Sequence, residues 1–283
     1  MSCAAETAFW IDWRLPLTSW PPGTRCYIGH ETCWRRMPAA QEALGIADVV
    51  ADNGGRISLV TPHLPGEALS VVLRLVERLV SKLEGVEVIC SDWGLLNKVC
   101  ILRVGTPVVG RMLAGQSTDP RIARVCAPEG GAARSVTHLD GTLCALRRRV
   151  PSAELIEYYQ GCWVDRPEVL AFLGDMGIRR CEISNTIQGI SLAGAAQWSF
   201  SLHVDDVPVT VLPHCPANGE DFTSGPKAGP APCSSGRCNP LEWRVDSFPV
   251  ILFRRDNALY YRNEAVPLNL CRLPVDRIVH SRW

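Results

Sequence analysis

Three cysteines, Cys215, Cys233 and Cys238, stand in a C-x17-C-x4-C pattern within HCPANGEDFTSGPKAGPAPCSSGRC, residues 214–238. The stretch is so rich in Pro and Gly that neither helix nor strand fits it, and it has no apolar periodicity by which to order itself. Such a segment is either disordered or pinned by something other than side-chain burial. The three thiols are the candidate pins. With a fourth thiolate they would suit zinc or an iron-sulfur cluster, both of which accept tetrahedral sulfur ligation. Zinc sites more often use paired C-x2-C knuckles, which are absent here. Spacing alone leaves zinc, a cluster and unligated thiols open.

A second set of chemistry-bearing residues follows short apolar runs. Cys33 comes after CYIGH, His63 after RISLV, and Asp92 after VEVIC. Arg111 to Arg121, with Gln116 between them, follow TPVV; Asn185 and Gln188 follow CEIS; His214 and Cys215 follow VPVTVL. If these runs are strands of one parallel barrel, all these positions fall at its carboxyl face, where barrel enzymes keep their chemistry. His63, Asp92, Arg111, Gln116 and Asn185 are then the candidate pocket residues. Arg111 or Arg121 would clamp a carboxylate through paired N–H donors. Each has a local alternative. Asp92 before WGLLNKV is also a natural helix N-cap, and Ser117 to Asp119 also read as a turn leading into a helix.

The elements that must position these residues alternate. TRCYIGH, RISLVTPH, VEVICSD, TPVVGRML, RRCEIS and VPVTVLPH read as strands. Between them PAAQEALGIADVVADN, PGEALSVVLRLVERLVSKLEG, WGLLNKVCIL and DRPEVLAFLGDMG have the apolar period of helices. Pro65 and Gly85 bracket the second helix as start and stop signals. Alternation of this kind predicts a parallel sheet with right-handed crossovers. Without G-x-G-x-x-G or G-K-[ST] after the first strand, an irregular or incomplete (β/α)8 TIM-like barrel is a better fit than an open nucleotide-binding sheet.

A single domain over residues 1–283 is expected, with a Cys-rich metal-binding loop at 214–240. Residues 122–151 show no clear unit and read as an insertion or a flexible segment. FPVILFRRDNALYYRN predicts a hairpin turning at Arg254 to Asn257. VDRIVHSRW reads as a last strand with no helix behind it, which would leave a surface for a partner.

Composition narrows the function. The chain has 283 residues, 47% hydrophobic and 20% charged, with Lys+Arg and Asp+Glu equal at 29 each. A balanced charge argues against a dedicated nucleic-acid binder, whose affinity comes largely from neutralised phosphates. The start, MSCAAETAFWIDWRLPL, has no basic region followed by an unbroken apolar run, and the longest apolar helix carries Arg74, Glu77, Arg78 and Lys82. A cytoplasmic protein without a membrane span is therefore expected. Thirteen cysteines are an odd number in a reducing compartment, and Cys90, Cys100, Cys144 and Cys181 lie among apolar neighbours as small core residues.

Several local patterns together resemble the collagenase-like peptidase family of unclassified mechanism, and within it the UbiV-type iron-sulfur proteins of oxygen-independent ubiquinone hydroxylation. The carrying stretches are YIGHETCWRR, EVICSDWGLLNKV, GRMLAGQSTDPR, RRCEISNTIQGI and SLHVDDVPVTVLPHC. The resemblance implies a barrel fold and a 4Fe-4S cluster held by Cys33, Cys215, Cys233 and Cys238; Cys33 is chosen by the resemblance and not by spacing. It also implies hydroxylation of an aromatic or quinone-precursor substrate, a homologous UbiU-like subunit as partner, and prephenate as the oxygen donor. A metal-stabilised, non-catalytic scaffold and an RNA-base hydroxylation factor are the alternatives. Peptidase activity has little support, because no nucleophile-base pair is signalled and a ligating thiolate is no nucleophile.

Overall fold

A computed structural model describes residues 5–127, 134–146, 150–192, 198–212, 241–246, 248–267 and 270–282. In chain order the strands are β1 (Glu6–Ile11), β2 (Arg25–Gly29), β3 (Arg56–Thr61), β4 (Glu87–Cys90) and β5 (Thr106–Val109). Then come β6 (Arg134–Thr137), β7 (Leu143–Leu146), β8 (Arg180–Ser184) and β9 (Ser199–Val211). The last four are β10 (Leu241–Trp243), β11 (Leu252–Arg255), β12 (Ala258–Asn263) and β13 (Val275–Arg282). The helices are α1 (Ala40–Asp52), α2 (Gly66–Lys82), α3 (Trp93–Leu102), α4 (Ile122–Cys126), α5 (Ala153–Gln160) and α6 (Pro167–Asp175).

Eight strands close a parallel barrel in the order β1-β2-β3-β4-β5-β8-β9-β13, and β13 returns to β1. The expected α/β TIM-like barrel is thus the fold. Strand alternation sorts the side chains into two cores. Outward residues such as Ile28, Leu59, Val88, Ile183 and Leu202 pack under the helices, against Ala47 and Val50 of α1, Val76 and Leu79 of α2, Leu96 of α3 and Leu173 of α6. Cys26, Cys90 and Cys181 belong to this layer at 0% exposure. Burial without a counter-charge pushes their thiols above the ordinary value, so they act as small apolar residues.

The structure departs from the sequence reading at three places. β1 is a full barrel strand, although ETAFWI has too few apolar residues in alternation to stand out. VPVTVL is not a barrel strand. Its segment is the outer half of the 13-residue β9, whose first half, SFSLHV, fills the barrel position between β8 and β13. The strand bends at Asp205, where φ is 88°, and continues as an antiparallel overhang paired with β12, which pairs with β11 and β11 with β10. Asp205, Asp206 and Pro208 interrupt the apolar run of SFSLHVDDVPVTV at the bend, but nothing local says which partners its two halves take.

Residues 122–151 contain α4 and an antiparallel two-stranded pairing of β6 with β7, separate from the barrel sheet. The predicted hairpin is present as β11 and β12 around Asp256 and Asn257. Nor does the closing strand leave its outer face bare. Phe9 of β1 meets the edge of Trp20 at 6.0 Å, and Leu270, Leu273 and Ile278 pack against the same core. No helix among the described residues is long and apolar enough to cross a membrane.

Candidate functional site

The barrel interior is polar at its floor. Arg277, only 1% exposed, donates to both carboxylate oxygens of Glu87 at 2.7 and 2.9 Å, to Glu6 at 2.6 Å and to the Tyr27 hydroxyl at 2.9 Å. Arg25 reaches Glu6 and the Ser58 hydroxyl, and Ser58 donates to Glu87 at 2.8 Å. Burial alone would raise the Glu87 carboxyl, yet hydrogen bonds and charge from Arg277 outweigh it and hold it at about 2. This network ties β1, β2, β3, β4 and β13 together at the amino end, the stability face of such barrels.

Above the floor, Tyr27 donates to Glu182 at 3.1 Å, and Glu182 meets His203 Nε2 at 2.6 Å. Burial lowers the imidazole pKa, and Arg111 adds to the effect against the opposing pull of Glu182. The ring is therefore neutral, with its proton on the nitrogen facing Glu182. Trp10 and Tyr27 present their rings edge-on to His203 at 5.8 Å each.

A second polar layer closes the carboxyl end. Arg111 begins the 3-10 turn after β5 and donates to the Glu31 carboxylate at 2.5 and 3.0 Å and to the Asp206 carbonyl at 2.7 Å. Its guanidinium lies 5.7 Å over the Trp10 ring, and it is 6% exposed. Burial would raise the Glu31 carboxyl, but Arg111 outweighs it and holds it below the usual carboxylate value. Asp206 in turn accepts from Arg255 at 2.7 Å.

Cys33 follows β2 in a turn built by His30. The His30 Nδ1 accepts from the Thr32 and Cys33 amides at 3.2 and 3.0 Å, so the neutral ring carries its proton on Nε2 and donates to Asp256 at 2.9 Å. Burial, with Arg255 nearby, lowers the His30 pKa to about 3 and keeps it neutral. Asp256 also pairs with Arg36. Next to it, the Asn257 amide donates to the Thr32 carbonyl and to the Leu212 carbonyl, both at 2.8 Å. The Asp256 and Asn257 turn thus fastens the Cys33 turn to the residue where β9 leads into the Cys-rich loop.

The remaining sequence candidates gather at the same end, where they bond to neighbouring elements. Asp92 caps α3 through the Leu95 amide at 2.9 Å, accepts the Leu64 amide at 3.2 Å and meets His63 Nδ1 at 3.0 Å; the His63 side chain is 80% exposed. Gln116 pairs with both backbone groups of Ser184, at 2.6 and 3.1 Å. It supplies the peptide-like partner that β5 lacks, since β5 and β8 share only the Val109 and Cys181 register. Asn185 donates to the carbonyls of Asn263 and Ala265 at 2.9 and 2.8 Å, locking β8 to the end of β12. Gln188 donates to the Ser117 and Tyr159 carbonyls. Arg121 pairs on the surface with Asp119 at 2.5 Å. Cys215, Cys233, Cys238 and His214 lie outside the described residues.

Sequence reading missed Glu31, Asp206, Asp256 and the pair Glu182 and His203. Their signal was charge inside apolar strands: CEIS and SLHVDDVPV place ionisable groups where a barrel wall is expected to be apolar. Among the described residues no group of three or more His, Cys, Asp or Glu side chains is arranged to hold a metal ion. Compared with protein-family models, curated proteins and solved structures, the chain gives no match.

Proposed function

We propose that this chain is a four-thiolate iron-sulfur subunit of barrel fold, with Cys33, Cys215, Cys233 and Cys238 as the ligands of a 4Fe-4S cluster. One observation carries the reading. The Asn257 amide bonds both Thr32 and Leu212, so the turn holding Cys33 is fixed beside the point from which Cys215 is three residues away. That contact is what a site needs if one ligand comes from β2 and three from a distant loop. Arg35 and Arg36 stand two and three residues after Cys33, a cationic setting of the kind that suits a ligating thiolate.

When bound, the cluster would supply electron transfer or a coordination position for an oxygen donor. The chain's own residues hold the site. His30 orients the Cys33 amide, Asp256 fixes His30, and Asn257 ties that turn to Leu212. The UbiV-type resemblance extends this to oxygen-independent hydroxylation of an aromatic or quinone-precursor substrate in the cytoplasm, with a homologous UbiU-like partner and prephenate as donor. A metal-stabilised scaffold is the second reading. It is favoured by Arg111, Gln116 and Asn185, whose side chains already bond to partners within the protein.

The test is purification without oxygen, followed by the visible spectrum and assays of iron and sulfide. Wild type is expected to be brown with iron and sulfide near four per chain for a 4Fe-4S cluster. Cys33→Ser should lose both, whereas Cys90→Ser should keep them. Colourless protein with stoichiometric zinc would overturn the cluster and leave the scaffold. Substrate turnover by the homologous partner, unchanged when this chain is omitted, would overturn the hydroxylation role.

A further inference from the structure

On the outside of the barrel, beside the turn that follows Cys33, a groove of about 410 Å³ runs between Trp34 to Ala40 and the flank of α2. Its apolar lining includes Trp34, Met37, Val71 and Leu75, and its only charged residues are Arg35, Arg74 and Arg78. This volume is within the range of small-molecule sites, roughly 300 to 1,000 Å³. Val71 remains 47% exposed beside it, an apolar side chain that its own fold does not cover.

The arginines make the groove selective. Arg74, Arg78 and Lys82 succeed one another at four-residue spacing along α2, so three cations share one helix face. Like charges at this spacing repel and destabilise a helix. Glu77 lies between them in sequence, yet neither Arg74 nor Arg78 makes a salt bridge among the described residues, and both are exposed. The exposed Arg14 and Arg121 each pair with an aspartate two residues away, whereas Arg74 and Arg78 stand beside an apolar groove without such a partner.

We propose that this groove binds a small amphipathic anion, with a carboxylate or phosphate head on Arg74 and Arg78 and an apolar body against Trp34, Met37 and Leu75. Guanidinium groups accept such heads through paired N–H donors, which an ammonium cannot match. The site shares the turn after Cys33 through Trp34 and Arg35, but no thiol lines it among the described residues. It takes a molecule and not a surface, because its lining is concave and is built from two elements that face each other.

The full chain would be titrated by calorimetry with octanoate, octyl phosphate and 1-octanol below their aggregation ranges. Octanoate or octyl phosphate should bind at least tenfold more tightly than 1-octanol, and the comparison of the two anions identifies the preferred head. Arg74→Gln with Arg78→Gln should weaken the anion at least tenfold while the thermal melt of the protein is unchanged. Butanoate should bind weaker than octanoate by tenfold or more if the apolar floor is used. Equal binding of 1-octanol and the anions, no binding, or an unaltered double variant would overturn the proposal. Binding to phosphatidylglycerol vesicles without binding to either soluble anion would overturn it as well, in favour of a membrane surface.

Discussion

Arg277→Met tests whether the barrel is held from its floor. The substitution keeps much of the volume and removes a guanidinium that serves Glu87 twice, Glu6 once and Tyr27 once. Glu87 then keeps Arg25 at 3.4 Å and Arg180 at 3.7 Å, and Glu6 keeps Arg25 at 3.1 Å and the exposed Arg56 at 3.7 Å. Removing one member of a buried ion pair costs about 3 to 5 kcal/mol.

The Glu87 carboxyl gives an independent figure. It falls from 4.5 to about 2 in the folded chain. At about 1.4 kcal/mol per pH unit this corresponds to roughly 3 kcal/mol at neutral pH. Because the folded value is depressed, the contribution is complete above the unfolded value of 4.5 and is lost as pH falls toward about 2. By pH 3 about 2 kcal/mol of it is gone. Urea unfolding at pH 7 and pH 3 measures both quantities. The deficit of Arg277→Met should be about 3 to 5 kcal/mol at pH 7 and smaller by about 2 kcal/mol at pH 3. A deficit below about 1 kcal/mol at pH 7, within the range of surface pairs, would refute the reasoning, as would one that does not change with pH.

Two further substitutions separate structural from functional roles at the carboxyl end. Gln116→Ala removes two hydrogen bonds at the seam between β5 and β8 and should cost about 1 to 3 kcal/mol, with faster amide exchange at Ser184; unchanged exchange there would show that the seam does not depend on the side chain. Arg111→Met strands the Glu31 carboxylate in a buried site and should cost about 3 to 5 kcal/mol near pH 8. In wild type the lowered Glu31 pKa contributes stability that is lost as pH falls through it. In the variant only the smaller influence of charges such as Arg255 opposes burial, which raises that pKa, so the deficit should shrink between pH 8 and pH 5. A constant deficit would mean that lost packing, and not charge, is responsible.

Local pattern made the barrel walls legible. RISLVT, EVIC and RCEIS are apolar runs bounded by polar turns, and α2 has a well-separated apolar face, so each could be read without its neighbours. The reading failed where an element has no local signature. In SFSLHVDDVPVTV one continuous strand belongs first to a parallel barrel and then to an antiparallel overhang, and that change depends on β13 and β12, far along the chain.

The candidate site was legible in kind and not in arrangement. Residue type and position before a loop placed Asp92, Arg111, Gln116 and Asn185 at the correct end of the barrel. What each one does is set by partners far away in sequence: Glu31 for Arg111, Ser184 for Gln116, Asn263 and Ala265 for Asn185. The sequence by itself determined the alternation of strand and helix and the barrel end at which Asp92, Arg111, Gln116 and Asn185 stand, because these follow from the period of local burial and the position after each apolar run. The tertiary structure alone decided which charges meet. Barrel closure brings Glu6 to Arg277, Glu182 to His203 and Asn257 to Thr32. Ion pairing and hydrogen bonding act only within a few ångströms, a separation that the order of residues along the chain does not encode.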